Sequence, residues 1–137
     1  MKNRRTFIKK AAAGMALASL FPLSNKSMAG EVKITGALVH HVFFWLKEPE
    51  NKAHLNQLLA GLNKLIKVET IKMSHIGVPA STEDRDVVDH SFSVSYIAFF
   101  DSKEDQDIYQ KHPIHLNFIE GNSHLWEKVV VYDSTDL

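Results

Sequence analysis

Residues 109 to 115 read YQKHPIH, which places one phenol and two imidazoles within seven positions of a chain that has no cysteine. Imidazole takes and gives a proton near neutrality. A tyrosine hydroxyl within hydrogen-bond reach polarises a carbonyl oxygen or holds an enolate. Proton abstraction next to a carbonyl needs a pair of this kind. The same residues also have structural uses: His112 as a cap on a broken helix, His115 as a donor to a backbone carbonyl, and Tyr109 as an amphipathic core ring. Metal binding is a further use, with His112 and His115 joined by His40 or His75. However, Pro113 interrupts the spacing and no carboxylate falls in an obvious third position, so no metal site is expected.

The elements that must position these groups follow from hydrophobic period. LVHHVFFWL, residues 38 to 46, is short and rich in β-branched and aromatic residues, which predicts a strand. In PENKAHLNQLLAGLNKLIK, residues 49 to 67, leucines and isoleucine recur at spacings of three and four, which predicts an amphipathic helix. Residues 71 to 78 and 91 to 100 read as strands separated by a polar loop, and Ser102 with Asp105 makes a capping-box pattern that opens a helix through Tyr109. His112, preceding a proline, is biased out of the helical region, so the helix should break there and resume as a short turn through Phe118. LWEKVVVYD, residues 125 to 133, closes the series as a strand. The order β-α-β-β-α-β is that of an α+β, ferredoxin-like domain, one antiparallel sheet with helices on one face.

The strands are apolar on both faces. Val42, Phe44 and Leu46 alternate with Phe43 and Trp45, and Phe92, Val94, Tyr96 and Phe100 alternate with Ile97 and Phe99. Two helices cover only one face, and the other would be a larger apolar patch than monomers usually expose. A second copy across a twofold axis is the expected cover, giving a dimeric α+β barrel. His41 falls on the face opposite His40, while His54 and His124 read as surface residues.

The first 29 residues form a separate object. NRRTFIKK precedes an apolar run from Ala11 to Leu23 and then SMAG, the layout of an export signal, and Arg4-Arg5-Thr6-Phe7-Ile8-Lys9 closely resembles a twin-arginine signal. Ser27 and Ala29 suit a cleavage site that leaves Gly30 to Leu137 as the mature domain, expected to be periplasmic or otherwise exported. The apolar run is too short and alanine-rich for a stable membrane span, which takes ~20 strongly apolar residues. Residues 1 to 29 carry six basic and no acidic side chains. The rest therefore holds 10 Lys plus Arg against 16 Asp plus Glu. With Arg85 as its single arginine and no basic stripe, nucleic acid is not an expected partner. The lack of cysteine excludes a disulfide scaffold and thiolate metal sites.

HHVFFWLK at 40 to 47, FFDSKED at 99 to 105, YQKHPIH at 109 to 115 and VVVYD at 129 to 133 together resemble the stress-responsive A/B barrel, or Dabb, family. The resemblance covers nearly all of residues 30 to 137 and implies a ferredoxin-like dimeric α+β barrel with a role in stress response. One plant branch, the olivetolic acid cyclase type, closes a polyketide ring by aldol condensation using a tyrosine and the second histidine of this motif. That match implies Tyr109 and His115 as a catalytic acid–base pair, with His112 and His40 lining the same ligand-binding pocket. Where that enzyme has a further pocket histidine, this chain has Val94.

Three functions of different class follow. The first is a homodimer that binds a small, partly apolar molecule near Tyr109 and His115. The second is a cofactor-independent lyase or cyclase acting on a carbonyl compound of polyketide type. The third is a haem or metal protein, since related dimeric barrels bind haem. No haem motif is present, and no cofactor is expected. The translocase is the expected partner during export. Changing Arg4 and Arg5 together to lysine keeps the charge but removes the guanidinium pair. We expect that double variant to accumulate as cytoplasmic precursor on cell fractionation, whereas an ordinary Sec signal would export it undiminished.

Overall fold

The computed structural model describes residues 33–137, so the export signal lies outside the described residues. Four strands, β1 (Leu38–Leu46), β2 (Met73–Gly77), β3 (Val94–Phe100) and β4 (Trp126–Thr135), form one antiparallel sheet in the order β2-β3-β1-β4. Three helices accompany them: α1 (Lys52–Leu65), α2 (Lys103–Lys111) and α3 (Pro113–Asn122), the last running into a turn of 3-10 helix at Ser123–Leu125. This is the ferredoxin-like α+β arrangement that the hydrophobic periods predict. The second helix differs: the expected short turn after Pro113 is a ten-residue helix. Proline at its first turn is preset for helical geometry, and Ile114 and Phe118, four residues apart, give it an apolar stripe to bury.

The core lies between the helices and one face of the sheet. Val42, Phe44 and Leu46 from β1 and Val94, Tyr96, Ala98 and Phe100 from β3 meet Leu58, Leu62 and Leu65 from α1, together with Tyr109 and Phe118. Alternation along the strands puts the intervening residues on the other face, where Phe43 gathers the rings of His41, Phe92 and Tyr132 at centroid distances of 4.2, 5.0 and 6.1 Å. No described helix covers that side. β3 is shorter than expected because the ladder gives way before Val94, where the Ser93 hydroxyl accepts a bond from Leu46 N–H at 3.0 Å.

Side-chain caps define the helix starts. Asn51 accepts from the backbone N–H groups of Ala53 and His54 at α1, and Ser102 accepts from Asp105 N–H at α2. Gly61 lies inside α1 where that helix meets α3. A Cβ there would stand 2.8 Å from Asn122 Nδ2 and 3.1 Å from Phe118 Cδ2. Asn122 has little freedom to retreat, since its amide donates to Phe118 O at 2.8 Å in a buried position. Alanine ordinarily stabilises a helix interior over glycine by ~1 kcal/mol, while overpacking costs about 1–3 kcal/mol. We expect Gly61→Ala to lower the melting temperature, by roughly 4–8 °C per net kcal/mol lost. A rise on thermal unfolding would show that α1 and α3 are not held in this close approach.

Candidate functional site

YQKHPIH folds as the end of one helix, a single extended residue and the start of the next. His112, at φ −65° and ψ 138°, closes α2 and opens α3, and its Nδ1 accepts the Ile114 N–H at 3.1 Å. Its Nε2 faces Glu69 Oε2 at 3.2 Å. Both ring nitrogens are thus engaged, and His112 is not among the residues that line the cavity beside the motif. Tyr109 and His115 are brought together, with ring centroids 4.6 Å apart. The third member is His40 of β1, whose ring lies edge-on to Tyr109 at 5.7 Å and to Tyr96 at 6.4 Å.

These groups line a cavity of about 200 Å³ between sheet and helices, walled by Val42, Phe44, Leu65 and Phe118 and bounded by Ile119, Trp126, Val129 and Val131. Val129 and Val131 are exposed, which puts its mouth along the β4 edge. A larger space of about 540 Å³ lies between α1 and α3, lined by Gln57, Lys64, Lys67 and Asn117 among others. It contains no imidazole, phenol or carboxylate, so the chemistry belongs to the smaller cavity. Among the described residues no group of three or more His, Cys, Asp or Glu is arranged to hold a metal ion. His75 is exposed on β2 opposite Ile97, on the far face of the sheet from His40.

Hydrogen bonding fixes the tautomers. His115 Nδ1 lies 3.1 Å from Gln110 O, which only accepts, so Nδ1 carries the proton and Nε2 of the neutral ring keeps its lone pair. Burial, the largest cause, lowers the His115 pKa below the ordinary 6.5, with His40 adding to that and the Gln110 bond opposing it. His40 Nδ1 lies 2.7 Å from Asp133 Oδ1, and a carboxylate oxygen likewise accepts, which leaves His40 Nε2 as the ring nitrogen not engaged by Asp133. His40 is buried while half of the Asp133 side chain is exposed. Burial pushes the phenols of Tyr96, to about 12, and Tyr109 well above the ordinary 10, so both stay protonated at neutral pH. The site therefore joins two imidazoles whose Nδ1 atoms are engaged and whose Nε2 atoms are not to two phenols that can only donate or accept as neutral groups.

Two contributors have no place in the sequence-based expectation. Asp133 stands directly opposite His40 in the antiparallel register, a pairing that aligning VVVYD against LVHHVFFWL could have suggested. Tyr96, 1% exposed, reads in the sequence as one more alternating aromatic. Its hydroxyl is buried and makes no well-formed hydrogen bond, with the Tyr109 phenol near enough for a weak one.

The model of the stress responsive A/B barrel domain matches residues 38–136. No curated protein is similar enough in sequence to match. Among solved structures, the hydroxynitrile lyase from Passiflora edulis superposes with a TM-score of 0.62 at 23% identity, covering 74% of this chain and 94% of that one. A Dabb family protein with a ferredoxin-like fold from Mesorhizobium loti gives 0.61 at 17% identity, covering 74% and 97%. A dimeric ferredoxin-like protein of unknown function from Thermobifida fusca gives 0.60 at 17% identity, covering 73% and 91%. These likenesses concern the fold. With 99 consecutive residues matched, from Leu38 to Asp136, the chain belongs to the stress-responsive A/B barrel domain family.

Proposed function

We propose that this chain is an exported homodimer that binds a small, partly apolar molecule in the cavity beside His40, Tyr109 and His115. The convergence of two imidazoles and a phenol on an apolar-walled cavity carries the reading. At about 200 Å³ the cavity is below the ~300–1,000 Å³ usual for drug-sized ligands, which suits a single substituted ring or a short branched chain. Apolar walls hold the body of such a molecule and the polar groups orient its head.

Turnover is the second reading, favoured by the His40–Asp133 pair at 2.7 Å. A carboxylate behind an imidazole holds its tautomer and stabilises the imidazolium formed when Nε2 takes a proton. Acid–base cleavage or closure of a carbonyl compound needs that base and a donor at the oxygen. A lyase among the proteins of like fold is in keeping with it.

Dimerisation rests on the outer sheet face around Phe43 and on the dimeric assembly of proteins with this fold from Thermobifida fusca and Bacteroides fragilis. Placing a charge at the centre of that face with Phe43→Asp should convert a dimer into monomer in sedimentation equilibrium. A wild-type chain that sediments as a monomer at micromolar concentration would end the dimer proposal.

For the cavity, extraction and mass spectrometry of protein purified from its own periplasm identifies the bound molecule. Tyr109→Phe should then weaken its binding by roughly tenfold to a hundredfold, the equivalent of ~1–3 kcal/mol, with little change in melting temperature. Loss of stability with unchanged affinity would make the motif a structural turn. The lowered His115 pKa sets the pH dependence: its Nε2 stays free below pH 6.5, so affinity that uses it should fall only on the acid side of that value. The sign for folding is the same. Below about 6.5 the unfolded chain takes up the His115 proton first, and stability declines as pH falls toward the depressed folded value.

A further inference from the structure

We propose that Tyr96 and Tyr109 act together as a seat for one oxygen atom of the bound molecule, making the preferred ligand a carbonyl compound or an acidic hydroxyl compound held as its oxyanion. This rests on the cavity being the binding site and adds the chemical class of what it takes. Tyr96 comes from β3, where it stands opposite Val42, and Tyr109 from the last turns of α2. The two approach the cavity from different layers, with the His40 ring edge-on to both.

Proton counting gives the seat its purpose. Two hydroxyls have two protons, and a bond from one to the other uses only one of them. The Tyr96 hydroxyl is fully buried and makes no well-formed hydrogen bond, and a weak one shared with the Tyr109 phenol still leaves one of the two protons without an acceptor. Leaving such a group unpaired is costly, and folded proteins keep few of them. An oxygen of the ligand supplies the missing acceptor. Because burial keeps both phenols protonated at neutral pH, they remain donors, and donors fixed in an apolar surround stabilise developing negative charge more strongly than water does.

Charge balance is met within the site. The proton leaving the ligand, from a hydroxyl or from the carbon next to a carbonyl, goes to Nε2 of His40 or His115, and the electron pair of the broken bond stays on the ligand as oxyanion or enolate. With His40 as acceptor, the imidazolium faces the Asp133 carboxylate at 2.7 Å, which offsets the new positive charge and keeps that carboxylate from opposing the oxyanion.

The test uses 4-nitrophenol, a single-ring probe whose visible absorbance reports its ionisation. The wild-type protein should bind it as phenolate at a pH where the free probe is largely neutral. Tyr96→Phe and Tyr109→Phe should each weaken binding by roughly tenfold to a hundredfold and shift the bound probe toward the neutral form. Thermal unfolding of Tyr96→Phe supplies the second measurement. Removing an unpaired buried hydroxyl should leave its melting temperature unchanged or raise it. If Tyr109→Phe loses the probe while Tyr96→Phe binds and ionises it as wild type does, the two-phenol seat is overturned and the binding cavity stands. If neither substitution matters, or the wild type does not bind the probe, both are overturned. A lowered melting temperature with wild-type binding in Tyr96→Phe assigns that hydroxyl to the fold and overturns the seat.

Discussion

Pro113 excludes its predecessor from the helical region, and His112 accordingly stands extended between α2 and α3. In an unbroken helix Tyr109 and His115, six residues apart, would point about 120° away from each other, at about 100° per residue. Tyr109 and His112, three apart, would share a face instead. The break reverses this choice. It swings the second helix so that Tyr109 and His115 meet at 4.6 Å, and it turns His112 outward to cap α3 and face Glu69. One steric exclusion thus selects which histidine joins the phenol.

The groups so assembled are ionisable, yet the apolar walls favour their neutral forms. Burial lowers His115 and raises both tyrosines, because removal from water penalises whichever form is charged. The exception is Asp133, whose half-exposed side chain keeps contact with solvent while its Oδ1 reaches the buried His40 ring. A fully buried carboxylate would meet a large desolvation cost there. Half-exposed on β4, it orients the imidazole and answers a proton gained on Nε2 without leaving an uncompensated charge inside. The groups whose ionisation burial opposes thus lie in the depth of the site, and the carboxylate lies where water still reaches it.

Local signals made most of this legible in sequence. The strand and helix periods, the Ser102 cap and the break before Pro113 depend on neighbours within a few residues, and each is found, with β3 shorter and the helix after Pro113 longer than expected. The Tyr109–His115 pairing follows from that break. His112 is different: capping and pocket lining both suit a histidine before a proline, and only the position of Ile114 N–H and Glu69 decides for the cap. Asp133 depends on the register of two strands 93 residues apart, which no local pattern states. Tyr96 was hidden for another reason. An aromatic at an alternating strand position looks like core, and here it is core by area while its hydroxyl alone points to something else.

The register that sets Asp133 against His40 is held at the other end of β4. Side chains alternate along a strand, so a slip of one residue would bring Tyr132 or Ser134 opposite His40 and carry the carboxylate to the outer face. On β4 itself the neighbours of Asp133 give little hold, since Val129, Val131 and Tyr132 are all exposed. The anchor is Trp126, which lies 5.0 Å from the Phe44 ring and stacks on Phe118 at 6.0 Å, beside the fully buried Leu125. Leu125 O also accepts the Lys47 N–H at 3.0 Å, closing the sheet where β1 ends. The register shifts by one residue between Leu46↔Trp126 and Trp45↔Lys128, a bulge beside that fixed point, and beyond it the ladder runs unbroken to Leu38↔Thr135. The acid that orients the buried base is thus placed by an aromatic cluster at the far end of its own strand.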